Sequence, residues 1–334
     1  MFRRALVFIV MMLGLFAMAA AQQDACKNVE IPVGVINSGG ESFRGLATQD
    51  FLARTQKGSV SVKSIAYDIG PRRVLLVVDT SRKLPANLRR AEVELLKTFL
   101  AAIRPEDSVG LLTALGPGGP VKFGDTRASI TEAVAGETNS TQGKNRGVLD
   151  AVSEGVEWFA DPHAGDAIVV IAPNTEGNHK SNAKSVAKAL ADHHIRMFGL
   201  ALGPIQTRNP TASAFTTSTT SQGLALSTPD TGVLTYSLGD EDFYPLTSNS
   251  GGLVAAVVDP DSKKFSDKMD SPSIQQFVRS RAQLVANAVD SFYRMLVEPQ
   301  PTSHQEWWSL DLTQDIRKNS PAMFLLYPHS LGPC

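Results

Sequence analysis

Apolar residues follow one another without interruption from Val74 to Val78, and the run ends abruptly in the polar triplet Asp79-Thr80-Ser81. A run this short, rich in β-branched residues and without polar alternation, is typical of a strand buried on both faces, as in the centre of a parallel sheet. Open α/β sheets bind their ligands at the carboxyl ends of the strands. The stretch therefore predicts a central strand whose carboxyl end carries a candidate binding site.

From Arg73 onwards, predicted strands and helices alternate along the chain. Helical spacing of the apolar residues predicts helices at Ala86–Ile103, Asn145–Phe159 and Ser181–His193. Apolar runs predict further strands at Ser108–Leu115, Ala167–Ala172 and Ile195–Leu202, a short edge strand at Val121–Phe123, and a last strand or a strand-to-helix turn at Gly251–Ala256. Repeated strand–helix–strand units indicate the α/β fold class, with a doubly wound, mostly parallel sheet that helices cover on both sides.

The two ends of the chain have a different pattern. Residues Val29–Asp68 contain short alternating segments separated by glycine turns, which are typical of antiparallel β-structure. Two strand-like runs near the other end, Glu306–Leu312 and Met323–Tyr327, have the same character. Because the strands of one end alone would bury little apolar surface, we expect the two ends to combine in one smaller β-sandwich.

These patterns predict a domain organisation. A leader (residues 1–21) precedes an N-terminal β segment (22–70) and an α/β domain (71–260), followed by a long helix (261–298) and a C-terminal β segment (299–334) that pairs with the first. Within the α/β domain, residues 204–246 form an excursion rich in Ser and Thr, which is typical of exposed loops. The long helix is predicted from helically spaced apolar residues between Ser273 and Leu296.

The leader has the three parts of a secretory signal peptide. Arg3 and Arg4 form a basic start, an apolar stretch follows, and Ala19-Ala20-Ala21 is a small-residue end. This pattern predicts cleavage before Gln22 and a secreted or periplasmic protein with no membrane span after cleavage. An uncleaved membrane anchor and a lipoprotein acylated at Cys26 are the alternatives.

Composition excludes some partners and leaves the state of the cysteines open. The chain has 32 Lys and Arg against 33 Asp and Glu, so neither nucleic acid nor an anionic membrane surface is indicated as a partner. Its two cysteines are Cys26 and Cys334. In an oxidising compartment they could form a disulfide, which requires the two ends to lie side by side; the alternative is two unpaired thiols.

The order of these parts resembles a known family. The β segment with Gly45-Leu46 and Asp50-Phe51, the strand ending in Asp79-Thr80-Ser81, the βα repeats and the Gly251-Gly252 strand resemble the von Willebrand factor A-like domain. The closer resemblance is to the bacterial secreted VWFA-related family of Acidobacteria. It implies interaction with another protein through the loops at the carboxyl edge of the sheet. Metal-binding members carry Asp-x-Ser-x-Ser in the first loop, a Thr in the second and an Asp in the third.

Only some of the ligand positions of this metal site match residues of the chain. Asp79 and Ser81 match the first two ligand positions, but Lys83 stands at the second Ser position and brings a positive charge. The second-loop Thr aligns with Arg146, and the third loop reads Pro173-Asn174-Thr175-Glu176. One carboxylate and one hydroxyl are too few for a divalent ion. We therefore expect a degenerate metal-ion-dependent adhesion site with no cofactor, Mg²⁺ or Mn²⁺ being the alternative.

The remaining candidate chemistry is sparse. His193-His194 ends a predicted helix, where histidines commonly complement the helix dipole, and no cysteine or second histidine at ligand spacing supports a zinc site. No nucleotide-binding glycine loop or nucleophile elbow occurs in a strand–helix turn. Adjacent Trp307 and Trp308 predict one ring in the core and one on the surface, with a carbohydrate- or peptide-binding face as the alternative.

The sequence therefore predicts a non-catalytic, extracytoplasmic protein-interaction or adhesion-type module. Its binding edge comprises Asp79, Thr80, Ser81, Arg82, Lys83, Asn145, Arg146, Asn174 and Glu176. The basic side chains among them favour an acidic protein partner. Two alternatives remain: a metal-dependent hydrolase or phosphoryl-transfer enzyme that uses Asp79, and a structural component of the cell envelope.

Overall fold

The computed structural model describes residues 28–37, 40–80, 86–114, 120–136, 147–161, 163–173, 180–202, 243–257, 272–299, 305–320 and 323–332. The strands are β1 Val29–Ile36, β2 Phe51–Thr55, β3 Gly58–Ser59, β4 Ser61–Asp68, β5 Arg73–Asp79, β6 Ser108–Ala114, β7 Ala167–Pro173, β8 Arg196–Leu202, β9 Val254–Val257, β10 Phe292–Glu298, β11 Glu306–Leu312, β12 Phe324–Leu326 and β13 Ser330–Leu331. The helices are α1 Ala86–Ala102, α2 Arg127–Gly136, α3 Val148–Val156, α4 Ala183–Asp192, α5 Phe243–Asn249, α6 Pro272–Asp290 and α7 Gln314–Asn319.

A parallel sheet of five strands, in the order β6-β5-β7-β8-β9, forms the centre of the molecule. β5 pairs with β6 on one side and β7 on the other, which places Asp79 beside Ala114 and Val78 beside Ile171. Its six residues after Arg73 are all buried, as the uninterrupted apolar run predicted. The predicted α/β fold class is confirmed.

The two faces of this sheet are covered by different helices. Val74, Leu76 and Val78 of β5 belong to a core with residues of α1 and α6. Leu75 and Val77 point to the other face and belong to a second core with residues of α3 and α4. This division follows from the alternation of side chains along a strand, and it explains why the central strands tolerate no polar residue until they end.

The ends of the chain form two antiparallel sheets, in the orders β12-β1-β10-β4 and β13-β11-β2-β3. Their inward-facing residues share one apolar core, which contains Val33 and Met295 from the first sheet and Phe51 and Trp308 from the second. Tyr293 in this core donates its hydroxyl to the Phe43 carbonyl at 2.8 Å. The two sheets build the β-sandwich that was expected from the terminal segments, and that part of the prediction is confirmed.

A single helix was predicted from Ser273 to Leu296, within a helical segment ending at residue 298. The prediction is wrong for the residues after Asp290. The helix α6 ends at Asp290, and Phe292–Glu298 is β10, which pairs with β1 and β4 at the centre of one sandwich sheet. Phe292 and Leu296 are four residues apart and so imitate helical spacing. The alternating burial of β10 decides between the two structures, because only a strand pairs with β1 and β4 at once.

Two smaller features also differ from the predictions. In place of an edge strand at Val121–Phe123, Val121 makes one isolated antiparallel bridge to Leu111. Helices α2, α5 and α7 were not predicted, and α5 includes the last residues of the predicted excursion. Within the described residues, no helix is both long and apolar enough to cross a membrane. The leader, residues 203–242 of the excursion, and both cysteines lie outside the described residues.

A buried charged cluster joins the sandwich to the α/β part. The chain crosses between them after β4 and again between α6 and β10, and both crossings meet around Phe292. Its ring lies between the guanidinium groups of Arg72 and Arg196, at 4.2 and 4.4 Å. Arg196 is fully buried and donates to the carbonyls of Ala288 and Val289 at the end of α6. These contacts fix the carboxyl end of α6 against the sheet.

Carboxylates balance the arginines of this cluster. Arg72 donates to the Asp68 carboxylate at 2.5 Å, and its backbone N–H donates to Asp107 at 2.8 Å. Arg104 contacts the Asp107 carboxylate at 3.1 Å and lies 3.8 Å from Asp290. Burial, the negative charge of Asp107 and a hydrogen bond between the two carboxyl groups raise the pKa of Asp290 to about 7. The cluster therefore contains a carboxyl group that titrates near neutrality.

Candidate functional site

The candidate site lies at the carboxyl edge of the parallel sheet, at the end of β5. Asp79 and Thr80 are both 1% exposed. The Thr80 backbone N–H donates to the Ala114 carbonyl at 2.9 Å, and its hydroxyl donates to the same oxygen at 3.4 Å. These bonds extend the β5–β6 pairing by one residue beyond the strand. Asp79 is the last paired residue of β5, and its pairing with Ala114 of β6 fixes its position at the edge of the sheet.

The other residues predicted for this edge lie outside the described residues: Ser81, Arg82, Lys83, Asn145, Arg146, Asn174 and Glu176. The structure does describe the residues from which their loops leave and to which they return. Thr80 precedes the first loop, Gly147 follows the second, and Pro173 and Lys180 enclose the third. Pro173 is the last residue of β7, directly beside β5. The predicted membership of these loops in one site stays a prediction.

Asp150 ties the second and third loops together, and the sequence analysis missed it. Its carboxylate accepts hydrogen bonds from the backbone N–H groups of Lys180 and Ser181, at 3.0 and 2.6 Å, and from that of Gly147 at 3.3 Å. Burial of the carboxyl raises its pKa, but the bonds from Ser181 and Lys180 outweigh this and hold the pKa below its usual range. Asp150 therefore fixes the start of α3 against the residues that lead into α4.

A signal for this role was present in the sequence. An acidic residue three positions after the N-cap, the residue that precedes a helix, is typical of a capping interaction with the helix N-terminus. Asp150 is three residues after Gly147, which precedes α3. The bonds to Lys180 and Ser181 could not be inferred in the same way, because they join segments thirty residues apart.

The described side chains do not by themselves make a divalent-cation site. Within the described part of the chain, no three His, Cys, Asp or Glu side chains gather closely enough to hold a metal ion. Asp79 would supply one carboxylate oxygen donor at the edge, whereas Mg²⁺ takes six oxygen ligands in octahedral geometry. No chemical step is therefore assigned to a metal here.

The histidines and tryptophans considered in the sequence analysis lie in described parts of the structure. His193 ends α4 with a backbone bond to Ala189, and His194 adopts a left-handed conformation with φ 52°. His163 belongs to the loop before β7, where its backbone N–H donates to Asp166 at 2.8 Å. Trp308 is buried and donates to the Pro328 carbonyl, whereas Trp307 is 56% exposed. The predicted division of the two tryptophans between core and surface is confirmed.

Comparison with known proteins finds distant structural similarity. No protein-family model matches the chain, and no curated protein matches it. An aerotolerance-related membrane protein from Bacteroides fragilis aligns with 16% identity over 66% of this chain and 98% of its own, with a TM-score of 0.43. BatB from Bacteroides thetaiotaomicron aligns with 17% identity over 64% of this chain and 100% of its own, with a TM-score of 0.37.

A von Willebrand factor type A protein from Catenulispora acidiphila aligns over more of the chain. It covers 92% of this chain and 64% of its own, with 10% identity and a TM-score of 0.41. Because the TM-scores of these three alignments are at most 0.43 and the identities at most 17%, they carry no argument about the fold or the role of this protein. The described residues form a doubly wound α/β fold: the parallel sheet has helices on both faces, and Asp79 ends the strand between β6 and β7.

Proposed function

We propose that this protein is a non-catalytic, extracytoplasmic interaction module that binds another protein through the carboxyl edge of its parallel sheet. The observation that carries the proposal is the placement of Asp79 and Thr80, buried and held by backbone pairing, at the end of β5. The anchoring of two further loop ends by Asp150 supports it, because a rigid base lowers the entropic cost of presenting loops to a partner.

The basic residues of the edge give the proposal its chemistry. Arg82, Lys83 and Arg146 belong to loops that leave or return at this edge, and the sequence offers Lys83 where a metal-binding relative has a Ser ligand. We infer that these cations attract an acidic protein partner directly. Opposite charges across an interface chiefly raise the association rate and suppress wrong partners, so binding should weaken as salt is added.

The test is capture of a partner by the full mature chain under mild cross-linking from an envelope extract. Charge reversal of Arg82, Lys83 and Arg146 to Glu should abolish capture of every protein that wild type retains specifically. A control reverses three exposed charges of the sandwich instead: Arg54, Lys57 and Lys318. Equal retention by the edge variant and wild type would overturn the proposal, whereas loss in both variants would indicate unspecific electrostatic adsorption.

A metal-dependent hydrolase or phosphoryl-transfer enzyme is the second candidate, and the position of Asp79 at a strand end favours it. Such an enzyme should be stabilised thermally by Mg²⁺ or Mn²⁺, and Asp79→Ala should remove both the stabilisation and any hydrolytic turnover. A structural role in the envelope, the third candidate, predicts that no protein is captured through the edge at all.

A further inference from the structure

Two carboxyl groups face each other in the charged cluster between the sandwich and the α/β part. The Asp107 side chain is fully buried, that of Asp290 is 16% exposed, and a hydrogen bond joins the two carboxyl groups. Among the described residues, no N–H or hydroxyl group donates to Oδ2 of Asp107 or to Oδ1 of Asp290. Two carboxylates offer only acceptors, so the geometry of this contact requires a proton on one of the two groups.

Asp290 lies at an unfavourable position for a negative charge. It is the last residue of α6, a helix of 19 residues, and the negative end of the helix dipole disfavours a carboxylate there. The charged groups that face it come from the turn between α1 and β6, the crossing after β4 and the start of β8: Asp107, Arg104, Arg72 and Arg196. The arginines favour the ionised form of Asp290, whereas burial, the helix end and Asp107 oppose it.

The turn that carries Asp107 also holds the crossing between β4 and β5. Oδ1 of Asp107 accepts a hydrogen bond from the Arg72 backbone N–H at 2.8 Å, and Arg104 donates to the Ile69 carbonyl at 2.8 Å. The crossing lies at the surface, where Ile69 is 76% exposed. Segments with few buried contacts can open locally at a lower free energy than the whole protein unfolds. The contact between Asp107 and Asp290 therefore connects the two points where the chain passes between the sandwich and the α/β part.

We propose that the facing carboxyl groups of Asp107 and Asp290 form a pH-sensitive switch at the junction between the sandwich and the α/β part. With the proton in place, the junction is closed. Once the proton is lost, two carboxylates face each other, and the end of α6 separates from residues 69–72 and 104–107. Both apolar parts stay folded in this open state, and the connection between them is loosened.

The pH range of the switch follows from the proton affinity of the closed junction. Burial, the negative charge of Asp107 and the hydrogen bond to it raise the pKa of Asp290 from 3.8 to about 7. Because the closed state binds the proton more tightly than the open state, closing is fully favoured below about pH 4 and weakens as the pH rises to about 7. The ratio of open to closed molecules should therefore rise about tenfold per pH unit between about pH 5 and pH 7, and then level off.

Hydrogen exchange of the purified protein tests the switch, read by mass spectrometry and corrected for the pH dependence of free amides. The reporter is the Arg72 amide, whose bond to Asp107 breaks on opening. Its protection should fall about tenfold per pH unit up to about pH 7. Low urea concentrations should leave its exchange unchanged but accelerate that of the β5 amides, because local opening exposes little surface. Protection that is constant with pH, or the same urea dependence as β5, would overturn the proposal.

Substitutions assign the switch to the two carboxyl groups. Asp290→Asn cannot ionise, so at about pH 8 its Arg72 amide should keep the protection that wild type shows at about pH 5. Asp107→Asn removes the opposing charge but retains an acceptor for the Arg72 amide, and it should also reduce the pH dependence. Asp315→Asn, at an exposed position on α7, is the matched control and should follow wild type. With all variants shown to be folded by thermal melts, an unchanged pH dependence in both Asp290→Asn and Asp107→Asn would overturn the proposal.

Discussion

Replacing Asp290 with Asn should remove most of the pH dependence of unfolding that arises at the junction between the two parts of the protein. Asp290 ends α6, and its side chain is 16% exposed. The groups that face it are the Asp107 carboxyl and the guanidinium groups of Arg104 and Arg72. Asn is uncharged at every pH and can donate to Asp107 as the protonated acid does, so the variant mimics the protonated state.

The magnitude follows from the shift. Burial and the neighbouring Asp107 raise the pKa of Asp290 from 3.8 to about 7. A folded-state pKa above the unfolded value means that the native state binds the proton more tightly, so this stability is fully present below about pH 4 and is lost as the pH rises to 7. At about 1.36 kcal/mol per pH unit, wild type should lose about 3 kcal/mol between pH 5 and pH 8 from this group.

Denaturant unfolding of wild type and Asp290→Asn at several pH values between about 5 and 8 measures the effect. The variant should become the more stable protein as the pH rises, because wild type loses stability when Asp290 is deprotonated and the variant has no proton to lose at this position. Asp315→Asn, at an exposed position on α7, should run parallel to wild type across the range. Parallel curves for Asp290→Asn and wild type would refute the reasoning about the raised pKa of Asp290.

Three further predictions concern other parts of the fold. Gly252→Ala should cost more than about 3 kcal/mol of unfolding free energy, because the added Cβ would lie 1.9 Å from the Met197 carbonyl oxygen. The control is Gly332→Ala, which has open space around it and should change stability by less than about 0.5 kcal/mol in the same denaturation assay. Asp150→Ala should lower the free energy of unfolding by about 1–3 kcal/mol and speed proteolytic cleavage near residue 180, because three backbone donors lose their acceptor. An unchanged cleavage rate would contradict the role given to this carboxylate. Cys26 and Cys334 should be joined in protein isolated from an oxidising compartment, because Val29 and Gly332, which are close to them in the sequence, line the same groove between α4 and the sandwich. Two alkylatable thiols in a non-reducing peptide map would contradict this prediction.

The central sheet could be predicted from the sequence because burial alone determines its pattern. Val74–Val78 and Ala167–Ala172 are apolar at every position, since both faces of the sheet are covered, and the strands lie where these runs predicted them. The sandwich could be inferred more coarsely, from alternation at the two ends. Its central strand β10 was not predicted, because Phe292 and Leu296 also fit the spacing of the preceding helix.

The charged junction could not be predicted. Arg196 opens an apolar strand, a position where an arginine usually reaches solvent, yet it is fully buried. Its partners are carbonyls at the end of α6, more than ninety residues along the chain, and the ring of Phe292. Sequence spacing carries no information about such contacts, because they arise only when the two crossings of the chain are brought together. The same reason hid the bonds from Lys180 and Ser181 to Asp150.

The central claim is that the edge beside Asp79 acts through its basic side chains and not through a bound divalent cation. Electron paramagnetic resonance of Mn²⁺ with the purified protein tests it most directly, because bound and free Mn²⁺ give different signals. At about 1 mM Mn²⁺, the upper end of the dissociation constants of extracellular Ca²⁺ modules, we expect the wild-type chain and Asp79→Ala to leave the same amount of free ion. Binding of one equivalent by wild type that Asp79→Ala abolishes would contradict the claim.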